Sequence, residues 1–457
     1  MGIDVTLLAR LQFGFTIAFH ILFPTLTIGL GGFLAFVEAA WLRTGEPVFE
    51  QLYKFWVKIF ALAFGMGVVT GVVLSYEIGA NFSRFADATG NVLGPLFGYE
   101  VLSAFFLEAG FIGIMLFGWG RVDRRVHFVA TLMVVGGTLI SAFWILAANS
   151  WMQTPAGYRL EGARFMVESW VDIILNPSTP TRFLHMVLAS YVTAMFVMAG
   201  VSALHLAMDR PPEPARRAIR IATVALAVLV PAQIFVGDMS GLVAERHQPM
   251  KLAAIEGRWE TVRGAPLVLF ALPNSRTERN DYELAIPKLG SLIITHSIDG
   301  EVRGLKEVAP AERPPVFIVF WAFRVMVGIG FLSLIVPYWG LWLWYRGRLD
   351  QSGSFFAVCI GMVPLGFVAA LAGWVTAETG RQPWVVYGLL RTADAVSPVA
   401  TYAVASSFVL FIIVYNILLV AYAYYVVRLA WHGPHDRSPA MTQVNPIVAK
   451  RAVMAAT

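Results

Sequence analysis

Nine apolar runs of about 20 residues or more, each long enough to carry a helix across a hydrocarbon core, fall near 13–41, 55–80, 97–119, 126–150, 183–207, 218–238, 315–345, 355–378 and 399–428. The polar stretches between them are short, except for one from about 239 to 314. This pattern predicts an all-α polytopic membrane protein, a bundle of about nine transmembrane helices with one external loop. Helices 1–6 occupy 1–238, the external loop 239–314, helices 7–9 315–428 and a cytoplasmic tail 429–457. The first run begins almost at Met1 and contains His20 and Pro24. Its long apolar continuation, without a small-residue cleavage pattern, predicts a retained helix rather than a cleaved signal peptide.

Composition agrees with the pattern. Of 457 residues, 58% are hydrophobic and 14% charged, with a mean hydropathy of +0.67, too apolar for a soluble core with a hydrated surface. The net charge of +5 is spread along the connections, which argues for a lipid bilayer and against nucleic acid as the surrounding partner. Basic residues set the orientation. One side collects fifteen, including Arg43, Lys54, Arg121, Arg124, Arg125, Arg216, Arg217 and Arg346, against seven on the short segments of the other, among them Arg182 and Arg381. The amino terminus is therefore expected outside and the carboxyl terminus in the cytoplasm. The one cysteine, Cys359, lies inside a span, which excludes a disulfide within the chain, cysteine-ligated iron–sulfur clusters and CxxCH haem attachment.

Ionisable and sulfur-bearing residues inside such spans are functional candidates. His20, Glu100, Glu108, His185, Arg324, Met326 and Glu378 are all assigned to the outer half of the bilayer by this topology. Histidine, methionine and carboxylate are axial-ligand types for haem iron, and a His/Met pair favours a low-spin electron-transfer haem. Each also has a plain structural reading. Glu378 can pair with Arg381 at a helix end, a lone histidine can be hydrogen-bonded packing, and a methionine can fill the core. Glu100 and Glu108 stand about 80° apart around a regular helix and about 12 Å apart along it, which suits successive stations of a proton path. Glu77, at the outer end of the second span, is open to either reading. In the long insertion, Lys251 and Glu256 can contact an amphiphilic substrate or form a solvated ion pair; the rest reads as loops with a small hairpin.

Several segments together resemble one family. Phe13-Gly14-Phe15 to His20, the run Glu100 to Glu108, Arg182-Phe183-Leu184-His185, the stretch Gly237 to Gly257 with its QPxKLAAIEG segment, Phe323-Arg324-Val325-Met326 and Gly380-Arg381-Gln382-Pro383-Trp384 are similar, in this order, to subunit I of cytochrome bd quinol oxidase. The likeness covers nearly all nine spans and fails only late in the insertion and in the tail. The compact insertion resembles the short-loop form, and Phe19-His20-Ile21-Leu22-Phe23-Pro24 resembles the cyanide-insensitive branch.

The resemblance implies specific roles. His185 and Met326 would be the axial pair of a low-spin haem b, with Arg324 near its propionates. His20 and Glu378 would ligate the irons of a high-spin haem b and a haem d, in an order left open, with Trp374 and Arg381 as further cofactor contacts. Glu100 and Glu108 match proton-path and oxygen-site carboxylates, and Lys251 and Glu256 match quinol contacts in the loop. Where relatives carry a pathway carboxylate near Glu77, this chain has Ser75. The implied reaction oxidises two quinols, ubiquinol or menaquinol, and reduces O2 to water in a bacterial cytoplasmic membrane. Protons are taken from the cytoplasm without pumping. A second subunit is an implied partner, and a small single-span subunit a further candidate. Two other classes compete with this reading. A proton-coupled transporter would use the buried ionisable groups as gates and show internal inverted repeats, which are not evident. A dihaem electron carrier without oxygen chemistry would show paired histidines within helices, but His185 and His205 sit at opposite ends of theirs.

Overall fold

The computed structural model describes residues 4–434 apart from 209 and 211, so most of the expected tail at 429–457 lies outside the described residues. Among the described residues, nine helical units are long and apolar enough to cross a membrane. Helix α1 (Val5–Thr44) starts at Asp4, whose carboxylate accepts the Thr6 N–H at 3.2 Å, and ends at Gly45, where a φ of 71° suits a residue without Cβ. Helix α2 (Pro47–Asn81) opens on proline, whose missing N–H costs nothing in a first turn. The third unit is α3 (Ser83–Glu100), a π-helical turn (Val101–Phe105) and α4 (Phe106–Phe117). Asp123 caps α5 (Arg124–Gln153). A hairpin of β1 (Tyr158–Glu161) and β2 (Arg164–Val167) and the short α6 (Trp170–Ile174) lead to α7 (Thr179–Ala207) and α8 (Pro212–His247).

The insertion then folds as α9 (Pro249–Glu256), β3 (Val262–Arg263), a hairpin of β4 (Leu267–Asn274) and β5 (Arg279–Ile286), α10 (Leu289–Thr295) and β6 (Glu301–Val302), which pairs with β3. Helix α11 (Val316–Tyr345) follows. The eighth unit breaks at Val363-Pro364 into α12 (Gly353–Met362) and α13 (Leu365–Thr379). Strands β7 (Trp384–Val386) and β8 (Leu390–Arg391), α14 (Thr392–Ala395) and α15 (Thr401–His432) complete the chain.

Two elements depart from the sequence expectation. The segment 239–247, expected as the start of the external insertion, continues α8 to His247, because Glu245 and Arg246 end the lipid-compatible run without ending helicity. The third unit begins at Ser83 rather than near 97, so Glu108 lies past its midpoint and not in its first half.

Helix α7 is approached closely from several directions. A Cβ at Gly29 of α1 would stand 2.4 Å from the Ser190 carbonyl oxygen, and one at Gly200 of α7 itself would stand 2.8 Å from the Cys359 oxygen of α12. Lipid tails offer no hydrophobic gradient, so small residues that let backbones touch supply much of the cohesion. The main core, with Phe23, Leu30, Trp56, Phe60 and Phe196, fills the space between α1, α2 and α7. Apolar side chains such as Val72, Phe106, Ile335 and Val420 face outward, as lipid contact requires.

Candidate active site

Helix α13 ends at Thr379, which puts Glu378 on its last turn and turns the chain so that Arg381 folds back onto it. Arg381 Nη2 donates to Glu378 Oε2, the expected helix-end pair. The carboxylate has further company. Oε1 accepts Gln153 Nε2 at 3.0 Å from the end of α5, and Arg182 Nη2 of α7 stands 3.8 Å away. Gln153 Oε1 in turn accepts the Lys251 ammonium of α9, and Gln248 Nε2 donates to the same oxygen at 3.0 Å. Lys251 also donates to Gln248 Oε1 at 2.6 Å.

Three cations thus gather around one carboxylate. Lys251 and Arg381 are almost wholly buried, and Arg182 Nε, Arg381 Nε and Arg381 Nη1 have no hydrogen-bond partner among the described residues. Burial, with Arg182 and Arg381 nearby, holds the Lys251 ammonium well below the usual lysine range despite the opposite pull of Glu378.

The histidines are held from behind. His20 Nδ1 lies 2.8 Å from Thr70 Oγ1, and that hydroxyl spends its own hydrogen on the Met66 carbonyl at 2.7 Å. Thr70 therefore accepts from His20 Nδ1–H, leaving the Nε2 lone pair as the ring's free ligating atom; this second-contact arrangement is common for metal-binding histidines. In α7, His185 Nε2 meets Gln233 Nε2 of α8 at 3.1 Å, and its Nδ1 is buried without a partner among the described residues.

Glycines stand opposite both rings and opposite the methionine sulfur. A Cβ would come within 3.2 Å of His20 Cε1 from Gly71, within 3.2 Å of His185 Cε1 from Gly237, and within 2.8 Å of Met326 Sδ from Gly373. Trp374 follows Gly373 one turn before Glu378 and is half-buried. The free Nε2 of His20, the Met326 thioether and the orphaned guanidinium donors, with glycines that let backbone approach the rings and the sulfur, fit a flat iron macrocycle with an anionic edge, that is, haem.

Glu100 and Glu108 are brought to one face. A π-helical turn accommodates about one extra residue, which takes about 100° from their phase and closes the expected separation of about 80° to about 20°. Their contacts agree. Ser141 Oγ of α5 donates to Glu100 Oε1 at 2.7 Å, while Glu108 packs on Gly137, one turn away on the same helix.

Of the remaining candidates, Glu256 lies in the insertion, Arg324 on α11 and Glu77 on α2. Glu256 ends α9 buried, with Oε2 unpartnered among the described residues, and burial raises its carboxyl against the pull of Arg324 and Arg258. Arg324 directs its donors at backbone: Ile255 O at 2.6 Å, Val268 O at 3.1 Å and Phe320 O at 3.2 Å. It clamps α9 and β4 to α11. Glu77 is buried beside Asn81, with Oε2 unpartnered among the described residues.

Sequence reasoning gave no role to Gln153, Thr70, Gln233 or Asn149, which accepts from Arg182. Uncharged amides and hydroxyls, whether inside a helix like Thr70 and Gln233 or at its end like Gln153, carry no signal of their own. Gln248 stood only within the QPxKLAAIEG segment, and Arg182 only in the charge balance and in the Arg182–His185 segment.

The family model of cytochrome bd terminal oxidase subunit I matches residues 8–434. This chain belongs to the cytochrome bd terminal oxidase subunit I family. It is 33% identical to cytochrome bd-II ubiquinol oxidase subunit 1 of Escherichia coli, over 94% of this chain and 97% of that protein. It is 34% identical to cytochrome bd ubiquinol oxidase subunit 1 of Bacillus subtilis, over 95% and 96%. The solved bd oxidase of Geobacillus thermodenitrificans superposes with a TM-score of 0.87 at 31% identity, covering 93% of this chain and 98% of that one. Membership makes this a multi-pass membrane protein of a haem-containing respiratory oxidase family, in agreement with the nine apolar helical units.

Proposed function

We propose that this chain is the quinol-oxidising, oxygen-reducing subunit of a bd-type terminal oxidase. The observation that carries the reading is the convergence of Arg182, Arg381 and, through Gln153, Lys251 on Glu378, with guanidinium donors left over. Haem bound here would supply the redox iron, a low-spin haem b at His185 and Met326 and a high-spin haem b and haem d at His20 and Glu378. Thr70 and Gln233 orient the two imidazoles, and Arg182 and Arg381 have donors to pair with carboxylate edges.

The quinol reaches the site through the insertion, where Lys251 and Glu256, at the two ends of α9, meet its oxygens. Two quinols release four electrons and four protons; one O2 takes up four of each to give two waters. Glu100 and Glu108, on one face, pass protons along α5 from the arginine-rich end toward the oxygen-reducing site, and Glu108, past the midpoint of its unit, is the nearer to that end. With that end in the cytoplasm and the insertion outside, proton release and uptake fall on opposite sides, and a proton motive force builds without pumping. A second subunit completes the complex.

Oxygen uptake by the purified complex tests the reading, with ubiquinol-1 or menaquinol-1 as donor. Quinol-dependent uptake that disappears in His185→Ala is expected. Uptake no faster than the autoxidation of the quinol would overturn the assignment.

A further inference from the structure

Helix α9 does not offer Lys251 to the outside. The ammonium is folded inward, and its two recorded acceptors are the side-chain oxygens of Gln248 and Gln153. Gln153 is the last residue of α5 and belongs to neither the insertion nor α13, yet it touches both. Its amide oxygen accepts Lys251 and Gln248, its amide nitrogen donates to Glu378 Oε1 at 3.0 Å and to Ala377 O at 3.3 Å, and its backbone oxygen accepts Gln248 Nε2 at 3.0 Å. The side chain is almost wholly buried, so its orientation is set by these partners rather than by water. An amide has one acceptor end and one donor end. A change at the Lys251 end therefore moves the group that orients the carboxylate at the other.

We infer that Gln153 is a positioning residue that couples occupancy of the quinol site at Lys251 to the geometry of Glu378. Quinol or quinone oxygen drawing Lys251 or Gln248 away relaxes the amide, and the Glu378 Oε1 contact shifts with it. The coupling runs to Glu378 because the Gln153 side chain bonds Glu378, Ala377, Lys251 and Gln248 and, among the described residues, neither His185 nor Met326. A hydrogen bond to a charged group contributes roughly a ten- to hundredfold change in an equilibrium when removed. By reciprocity, disturbing Glu378 changes quinone affinity by the same factor.

The inference rests on the oxidase reading, and one titration separates the two. Oxidised ubiquinone-1, and separately menaquinone-1, is added to the purified, fully oxidised complex while the high-spin and low-spin haem absorption bands are followed. In the wild type the high-spin band is expected to shift with quinone. In Gln153→Leu, of similar size but without either polar end, the shift is lost and quinone binding weakens roughly tenfold or more. Gln153→Glu keeps an acceptor for Lys251 but no donor for Glu378; it should bind quinone and still show no high-spin shift. A wild-type complex with haem bands that quinone leaves unmoved, or either variant retaining the wild-type shift, overturns the coupling alone. If neither variant loads haem, the wild-type titration and its response to Gln248→Leu, expected to be diminished, still decide. A complex without haem bands overturns the oxidase reading itself.

Discussion

Two carboxylates at opposite ends of α5, one buried and one partly buried, are built on opposite plans. Near its start, Glu38 of α1 is fully buried; its Oε1 pairs with His127 Nδ1 at 2.6 Å and its Oε2 accepts Thr131 Oγ1 at 2.6 Å. Tyr53 closes the network on Thr131 at 2.8 Å, and Trp119 packs edge-on to His127 with ring centroids 4.9 Å apart. Only His127 Nε2 is left without a partner among the described residues. At the far end of α5, Glu378 is surrounded by more donors than it can use, from Arg182, Arg381 and the Lys251–Gln153 relay. Unpaired buried charge costs several kcal/mol. A network closed on itself holds helices together, whereas one with surplus cationic donors is suited to an anionic group from outside the chain.

Substitutions at the two ends should therefore fail differently. Glu378→Ala is expected to have the largest effect, abolishing a high-spin haem band in the absorption spectrum while the low-spin band persists; an unaltered spectrum would remove Glu378 from the ligand set. Glu38→Ala leaves His127 and Thr131 facing nothing and should cost about 1–3 kcal/mol for each group left unpaired, read as a lower thermal midpoint in detergent, with unchanged haem bands in the folded fraction. Altered haem bands in that variant would break the contrast. Packed against the middle of α5, Glu108→Gln keeps the volume but carries no proton, and quinol oxidase turnover should fall by roughly a hundredfold with all haems retained. Full turnover would exclude Glu108 as a relay.

The smallest effect concerns pH. Burial raises the Glu256 carboxyl above its ordinary value of 4.5, so between 4.5 and that raised value the folded chain binds more protons than the unfolded one. Stability contributed there falls as pH rises through the interval, and the loss is complete above it. Glu256→Gln never ionises. Its thermal midpoint should exceed that of the wild type at neutral pH and converge on it below pH 4.5; a pH-independent difference would contradict the burial of a charge at this position.

Much of the architecture was legible because lipid imposes a simple demand, about 20 apolar residues per crossing. Hydropathy reports lipid rather than helicity, which is why α8 runs on to His247 and why the third unit starts at Ser83. The π-helical turn leaves no mark in the pattern, yet it decides whether Glu100 and Glu108 share a face. Ligand types at Glu378, His20, His185 and Met326 stood out as anomalies within apolar runs. Glu38 and His127 carry the same signal and received no role, since membership of a closed network shows only in three dimensions. Gln153 is the opposite case, a residue with no anomaly in sequence and the most connections in the site.

The central claim is that the surplus donors and backed histidines hold haem for oxygen chemistry. A reduced-minus-oxidised absorption spectrum of the purified complex tests it most directly. Bands of haem b together with a red-shifted band of haem d are predicted; haem b alone would contradict the oxygen-reducing site, and a colourless complex would contradict the whole account.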